Sequence, residues 1–425
     1  MKFYADLHLH SSYSRATSKE LTLEQLYVWG QLKGITVIGT GDCLHPAWFD
    51  QCSKKLFDEG NGLYSLNPAV AHTVSKQVPA PCFGTVRFMP TVEISTIYKK
   101  NNRVRKVHQV LCLPSFDSAG KLRKRLEQIG NLRSDGRPIL GLDSRDLLEI
   151  ALEADRRTLL IPAHIWTPWF SVLGSKSGFD SIEECYGDLT KHICALETGL
   201  SSDPAMNWRV SSLDRFALIS SSDAHSPSKI GRECTVFDTD CSFTGICDAL
   251  AGTSDANLLG TVEFFPEEGK YHIDGHRKCS IHFTPQETLD HAGICPVCHT
   301  PLTVGVMSRV EELADRPDGA VAPRGKPFTR LVPLIEVIAE ALDIGAGSKK
   351  AATQYQSLLS MIGNELFILL ESPLPDIAAA SNALIAEGVR RVRSGELRID
   401  AGYDGEFGKV RIFTADERGV YRRTN

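Results

Sequence analysis

The sequence predicts an α/β barrel, followed by a zinc-binding segment and a mostly helical C-terminal region. Three observations carry this. Short apolar runs recur through the first 225 residues, each followed at once by His, Asp or Glu. Segments with helical spacing alternate with those runs. Beyond residue 315 the texture changes to a Pro/Gly-rich stretch and then to helical patterns.

The runs at 1–5, 35–40, 86–92, 159–163, 193–196 and 216–220 lead into Asp6-Leu7-His8-Leu9-His10, Asp42, Glu93, His164, Glu197 and Asp223-Ala224-His225, and the run at 107–113 carries His108. They have strand length and are bounded by Gly, Pro or Asp, which reads as buried parallel strands. Thr22-Leu23-Glu24-Gln25 has the form of a capping box, with Gly34 as the stop of the helix it opens. Residues 118–129 and 144–153 read as further helices. Strand–helix alternation with polar residues at strand ends favours a barrel, because that rim is where barrel active sites assemble.

Residues two apart on a strand share a face, so His8 and His10 project together, as do Asp223 and His225. Two such pairs, a carboxylate and further imidazoles exceed one tetrahedral zinc site and suit two or three adjacent metals, with Glu93 able to bridge. Metals about 3.5–4 Å apart lower the pKa of a bound water and clamp the attacking and leaving oxygens of a phosphoester.

With 425 residues, 42% hydrophobic and 23% charged, the chain has ordinary globular composition and two or three domains are expected. The net charge of −5 gives no warrant for a nucleic-acid partner, so any such surface must be local. No apolar run approaches a membrane span, and Asp6 interrupts the N-terminus before the apolar core of a signal peptide could build. A cytoplasmic protein is expected, with its twelve cysteines mostly reduced and some binding metal.

Cys279-Ser280-Ile281-His282 is followed by Cys295-Pro296-Val297-Cys298, two ligand pairs of x2 spacing that predict a closed structural zinc site, with His299 as an alternative to His282. Helical segments are expected at 334–342, 354–361 and 377–393, and Tyr403-Asp404-Gly405 reads as a turn. The implied division is a catalytic barrel over 1–255, a zinc-binding segment over 256–315 and a helical domain over 316–425. Basic residues cluster at 99–106, at 121–125 and at Arg390, Arg391 and Arg393, as phosphate-contacting grooves do. Lys99, Lys100, Arg103, Arg105 and Lys176 are candidate DNA contacts, and Trp166 and Trp169 candidate platforms for an unstacked base. No Walker A loop or GxGxxG unit is present, which argues against a helicase or dinucleotide enzyme.

Asp6-Leu7-His8-Leu9-His10-Ser11 with Ser222-Asp223-Ala224-His225 resembles the first and last motifs of the polymerase and histidinol phosphatase (PHP) superfamily. Residues 143–149, 162–170, 196–203 and 260–272, together with the cysteine pairs, are similar to the endonuclease Q family, and the similarity runs from residue 1 to at least Pro317. The resemblance implies a distorted (β/α)7 barrel with up to three divalent metals (Zn, Mn or Mg) and one structural zinc. It implies hydrolysis of the phosphodiester 5′ of a deaminated base (uracil, hypoxanthine or xanthine) or an abasic site. His8, His10 and Asp223 would hold one metal with Glu93 bridging, His108 and His164 would complete a second, and Asp42 and His225 would belong to a third. Glu93, Asp223 and His225 are the expected catalytic residues, and Asp6 would orient a ligand imidazole. The superfamily often supplies another third-site His after its first motif, where this chain has Ser12-Tyr13-Ser14-Arg15-Ala16, and His45 is the candidate substitute. Damaged DNA is the implied partner. Some family members bind a sliding clamp, but no segment of this chain reads as a clamp-binding motif. Two other readings compete: a PHP-type phosphatase or phosphodiesterase acting on a small metabolite, and a non-catalytic DNA-binding accessory protein.

Overall fold

The computed structural model describes residues 1–253, 255–414 and 416–418. The N-terminal part is a mixed α/β assembly, and its first strand, Lys2–Asp6, organises it. That strand pairs in parallel with Val37–Gly39, which pairs in parallel with Arg87–Met89. On its other side it pairs antiparallel with Cys234–Asp238.

The chain then bends at Pro90 into a long hairpin, Thr91–Lys100 against Arg103–Cys112, and Leu159–Pro162 adds to it. Ala195–Glu197 and Ala217–Ile219 form a parallel pair. Backbone bonds carry the circuit between these pieces: Ala163 N to His108 O, Ile165 N to Glu197 O and Thr198 N to Ile219 O. Asp223 N to His8 O and His10 N to Ala224 O close it back onto the first strand. The regular ladders fall in separate sheets. Where a continuous cylinder was expected, the structure has these separate sheets linked by single backbone bonds.

The expectation of parallel strands fails for Arg103–Cys112, which runs antiparallel to both neighbours. A tight Asn101-Asn102 turn with φ of 52° and 59° reverses the chain, leaving no room for a crossover helix. Both arms of this hairpin carry a candidate ligand inside the strand, Glu93 on the first and His108 on the second.

Several helices start where a capping side chain is available. Thr22 Oγ1 accepts from Gln25 N and opens Leu23–Lys33, which Gly34 ends at φ 89°. Ser115 caps Phe116–Leu126, and Asp143 caps Ser144–Ala154. Leu334–Leu342 and Lys349–Met361 form as expected, the latter starting five residues early because Ser348 caps it. The single helix expected over 377–393 is two, Leu374–Ala380 and Ala383–Ser394. Asn382 caps the second through Ile385 N and breaks the run.

These C-terminal helices share one apolar core with the barrel: Val337, Leu358, Ile385 and Val389 pack in the cluster that holds Leu9, Leu26 and Phe88. A buried ion pair joins the two regions, Lys33 Nζ lying 2.6 Å from Glu365 Oε2, while Glu365 also accepts from Leu334 N and Tyr355 Oη. Residues 254, 415 and 419–425, which the expected divisions include, lie outside the described residues. Among the described residues, no helix is long and apolar enough to cross a membrane.

Candidate active site

The extended chain after the first strand buries Leu7 and Leu9 on one side, which turns His8 and His10 together to the other. Both imidazoles are buried and meet Glu93 and Asp223, and Glu93 in turn meets His108 and His164. Glu93 is the shared member. Its Oε1 lies 2.6 Å from His108 Nδ1 and 3.3 Å from His164 Nε2. Its Oε2 lies 3.5 Å from His8 Nε2 and 3.3 Å from His10 Nε2, and accepts from Arg137 at 3.2 Å. Asp223 Oδ1 stands 3.1 Å from His10 Nε2 and 3.7 Å from His8 Nε2.

Two sets of donor atoms result, each close enough to ligate one ion: His8, His10, Glu93 and Asp223, then Glu93, His108 and His164. The donors fit divalent metal on a further ground. His8 Nε2 is buried with no hydrogen-bond partner, directed between two carboxylates. An orphaned imidazole nitrogen there is costly unless a cation meets it.

Backbone strain gathers at this site. Asp42, His164 and Asp223 adopt φ of 52°, 31° and 47°, a region non-glycine residues rarely occupy. The hydrogen bond from His164 N to Glu197 Oε2 at 2.9 Å and that from Asp223 N to His8 O hold two of them there.

Electrostatics treat the candidate ligands differently. Burial opposes charge on His8, but Glu197 and Glu93 outweigh it and raise its pKa; for His10, Asp223, Asp42 and Glu93 do the same. Burial pushes His108 down to about 4, so its ring is neutral with a lone pair to give. Burial also resists the Glu93 carboxylate, yet His108, His8 and Arg137 hold its pKa well below the usual range. Asp223 is lowered against the same resistance by His10 and His8.

Several expected roles change. Asp6 accepts from Ser222 N and Gly231 N, so it holds the strand end that carries Asp223 and reaches no imidazole by hydrogen bond. Burial raises its pKa to about 6. The imidazole-orienting carboxylate is instead Glu197, whose Oε2 lies 2.9 Å from His8 Nδ1. Its place at a strand end was the available signal. Asp42 lies 3.2 Å from His10 Nδ1, outside both donor sets. His225 turns Nδ1 to Asp223 O, with its ring 4.6 Å from that of His10. His45 stacks on Tyr13 and meets Arg133 O, apart from the metal donors.

The cysteine site also differs in one ligand. His276, Cys279, Cys295 and Cys298 converge, with His276 Nδ1 3.2 Å from Cys298 Sγ, and His282 does not join them. Strand register is the reason: Asp274–His276 pairs with Ile281–Phe283 so that Gly275 faces His282 and His276 faces Ile281. Facing residues share a side of the ribbon, so His276 and His282 point to opposite sides. His282 is exposed beside Tyr403, and His299 is exposed as well. His276-Arg277-Lys278-Cys279 also has x2 spacing, the signal that could have found it. Thr300 lowers the Cys298 thiol to about 6, favouring the thiolate a metal needs. Ser280 and His299, each directly after a cysteine, take φ of 53° and 59° and turn the chain around the site.

Among the DNA-contact candidates, Lys99, Arg103, Lys176 and Trp169 are exposed. Lys100 is paired with Asp143 and Cys185 O, and Arg105 is buried, donating to Gly178 O over the Phe179 ring. Trp166 is fully buried and donates to Asn207 Oδ1 at 2.8 Å, which makes it core. Arg390 pairs with Glu387 and Glu396, Arg391 with Glu387 and Glu417, and Arg393 caps carbonyls of Ile368, Leu369 and Ser372. These arginines brace the C-terminal region.

Imidazoles and carboxylates gathered around one shared glutamate in an α/β strand circuit make a candidate metal centre of the kind that hydrolases use. The chain belongs to the endonuclease Q family. It superposes on the lesion-specific endonuclease PfuEndoQ from Pyrococcus furiosus with a TM-score of 0.84 and 30% identity over 99% of each chain. It superposes on Endonuclease Q in complex with a 27-mer duplex bearing an abasic lesion with a TM-score of 0.82 and 30% identity, covering 97% of each. Residues 333–396 match the MJ0043 C-terminal domain family. The uncharacterised protein YqxK of Bacillus subtilis is 27% identical over 432 residues, 96% of this chain and 99% of that protein. MJ0043 of Methanocaldococcus jannaschii, also uncharacterised, is 30% identical over 253 residues, 58% of this chain; the chain spans only 31% of its length.

Proposed function

We propose that this chain is a DNA-repair endonuclease that hydrolyses the phosphodiester 5′ of a deaminated base or an abasic site. The observation that carries the reading is Glu93, one oxygen in each of two donor sets, on a chain similar along its whole length to an endonuclease held on abasic duplex. His8, His10 and Asp223 would hold one divalent metal and His108 and His164 the other, with Glu93 between. Such metals, when bound, supply Lewis acidity and lower the pKa of water. Zn, Mn and Mg all suit imidazole and carboxylate donors. Glu197 fixes the His8 ring, and Asp42 fixes that of His10.

Substrate would enter over the half-exposed side of the cluster. Thr167 Oγ1, 3.2 Å from His164 Nδ1, opens a cleft of about 530 Å³ that Trp169, Ser201, Lys270, Tyr271 and His272 also line. Trp169 and Tyr271 stand edge to face, 5.6 Å apart, and offer an aromatic wall to a base turned out of the duplex. A base whose pairing is already weakened costs less to turn out, which favours damaged sites. Lys99 and Arg103 near the hairpin tip would meet backbone phosphates about 14–17 Å from His108, at a strand's rise of about 3.4 Å per residue.

The test is a substrate series: labelled duplexes with one uracil, hypoxanthine or abasic site, an undamaged duplex, and 4-nitrophenyl phosphate, each with Mn or Mg. A nick directly 5′ of the lesion and none in the undamaged duplex is expected. Binding without cutting would favour an accessory protein. Turnover of the monoester with no preference for damage would overturn the reading in favour of a phosphatase.

A further inference from the structure

The family resemblance calls for a third metal near Asp42, and the residues there do not fit one. Asp42 is fully buried. Its Oδ2 already accepts from Ser11 N at 2.7 Å, Ser11 Oγ at 2.6 Å and Ser14 Oγ at 2.9 Å, and its Oδ1 lies 3.2 Å from His10 Nδ1. Oδ2, with three donors on it, has no lone pair left for a cation, and Oδ1 is turned to the His10 ring. The backbone of Gly136 covers the same carboxylate so closely that a Cβ there would come within 2.2 Å of Oδ2 and 2.4 Å of Ser14 Oγ.

The covering segment is fastened at several points. Asp135 Oδ1 accepts from Arg15 N and Arg137 N, both at 3.2 Å, and Gly136 N donates to Tyr13 O at 3.1 Å. His45 Nε2, expected as a metal ligand, meets Arg133 O at 3.2 Å and so anchors the segment instead. What the segment delivers is Arg137. Its guanidinium donates to Glu93 Oε2 at 3.2 Å, and 29% of the side chain remains open to solvent. Glu93 is the one partner described for that guanidinium, which carries five N–H donors.

We infer that Arg137 takes the place of a third metal: its guanidinium contacts a non-bridging oxygen of the scissile phosphodiester beside two metals. The inference rests on the proposed phosphodiester chemistry. A guanidinium is permanently charged and its planar fork matches phosphate oxygens. Held in a pre-formed, partly buried position, it stabilises the negative charge that grows on the phosphoryl oxygens without reorganising.

The experiment compares the wild type with Arg137→Ala and Arg137→Lys, all as metal-loaded full chains whose folding is checked by circular dichroism. On abasic duplex, kcat of Arg137→Ala should fall about 100-fold or more, with duplex affinity changed only a few-fold. Elemental analysis should find two barrel ions beside the knuckle ion in wild type and variants alike. Millimolar guanidinium should restore part of the activity to Arg137→Ala and none to His10→Ala, and Arg137→Lys should retain more activity than Arg137→Ala. A third barrel ion in the wild type, loss of a barrel ion in Arg137→Ala, or unaltered kcat would each overturn the inference. The same comparison on bis(4-nitrophenyl) phosphate keeps it separate from the lesion reading. A wild type that hydrolyses this diester but ignores damaged DNA defeats that reading, while the variants still decide the role of Arg137.

Discussion

Among the described residues, two metal-type clusters are built on opposite plans. The barrel cluster uses nitrogen and oxygen donors, shares Glu93 between its two sets, and leaves Asp223 partly exposed, while Thr167, bonded to His164, lines a cleft beside it. The knuckle uses three sulfurs and one imidazole, shares nothing, and completes four ligands from two turns. An incomplete, shared, mixed set leaves room for substrate and chemistry, whereas a complete soft set leaves none and serves folding. The difference teaches that ligand sharing and an open side mark the working site more surely than the number of ligands.

The sharpest way to break this contrast is to remove a ligand from each cluster. Glu93→Gln or His10→Ala should lower nicking by about 1,000-fold or more, the several kcal/mol that metal-supplied charge contributes, while circular dichroism stays native. Cys295→Ser should do the reverse. The knuckle ion is lost and limited proteolysis opens the segment around 274–303, while the barrel ions, counted by elemental analysis, remain. If Cys295→Ser emptied the barrel, or Glu93→Gln unfolded the chain, the division of labour would be wrong.

A finer test asks whether Glu197 acts through His8. Glu197→Gln keeps the shape but weakens the hold on His8 Nδ1, and should reduce metal affinity or activity by about 10–100-fold. Isothermal titration of the apo protein with Mn would read it.

A last test reads stability and not catalysis, at Glu263, which is buried among Thr198, Ser220 and Thr261. Burial, helped by Asp203, pushes its pKa up to about 8 from the usual 4.5. The folded state therefore binds the proton more tightly than the unfolded one. The stability this contributes is fully present below about pH 4.5, falls by at most about 1.4 kcal/mol per pH unit toward pH 8, and is gone above it. Glu263→Gln should flatten the decline of the thermal midpoint between pH 5 and 8 relative to the wild type. An unchanged slope would mean the carboxyl is ionised in the fold.

Most of the barrel cluster was legible because its signal is local. His8 and His10 obey the period of two, and Glu93, His164 and Asp223 each follow an apolar run. What the sequence hid depends on loops and register. Asp42 is a plausible ligand until Ser11 and Ser14 are seen to fill one of its oxygens and His10 to face the other. Arg137 sits in a loop with no periodicity to announce it, and only the fold brings it to Glu93. His276 and His282 offer the same spacing to Cys279, and strand pairing alone decides between them. Trp166 and Trp169 differ by three residues, yet one is core and the other surface. The helix break at Asn382 is a competition between capping and propagation that apolar spacing does not reveal.

The most direct test of the central claim is a single-turnover digest of a 5′-labelled abasic duplex by the Mn-loaded wild type, run beside His10→Ala. The account predicts one product ending directly 5′ of the lesion, formed by the wild type and absent with the variant although the variant still binds the duplex. Equal cutting by the variant, or wild-type cuts scattered without regard to the lesion, would contradict it.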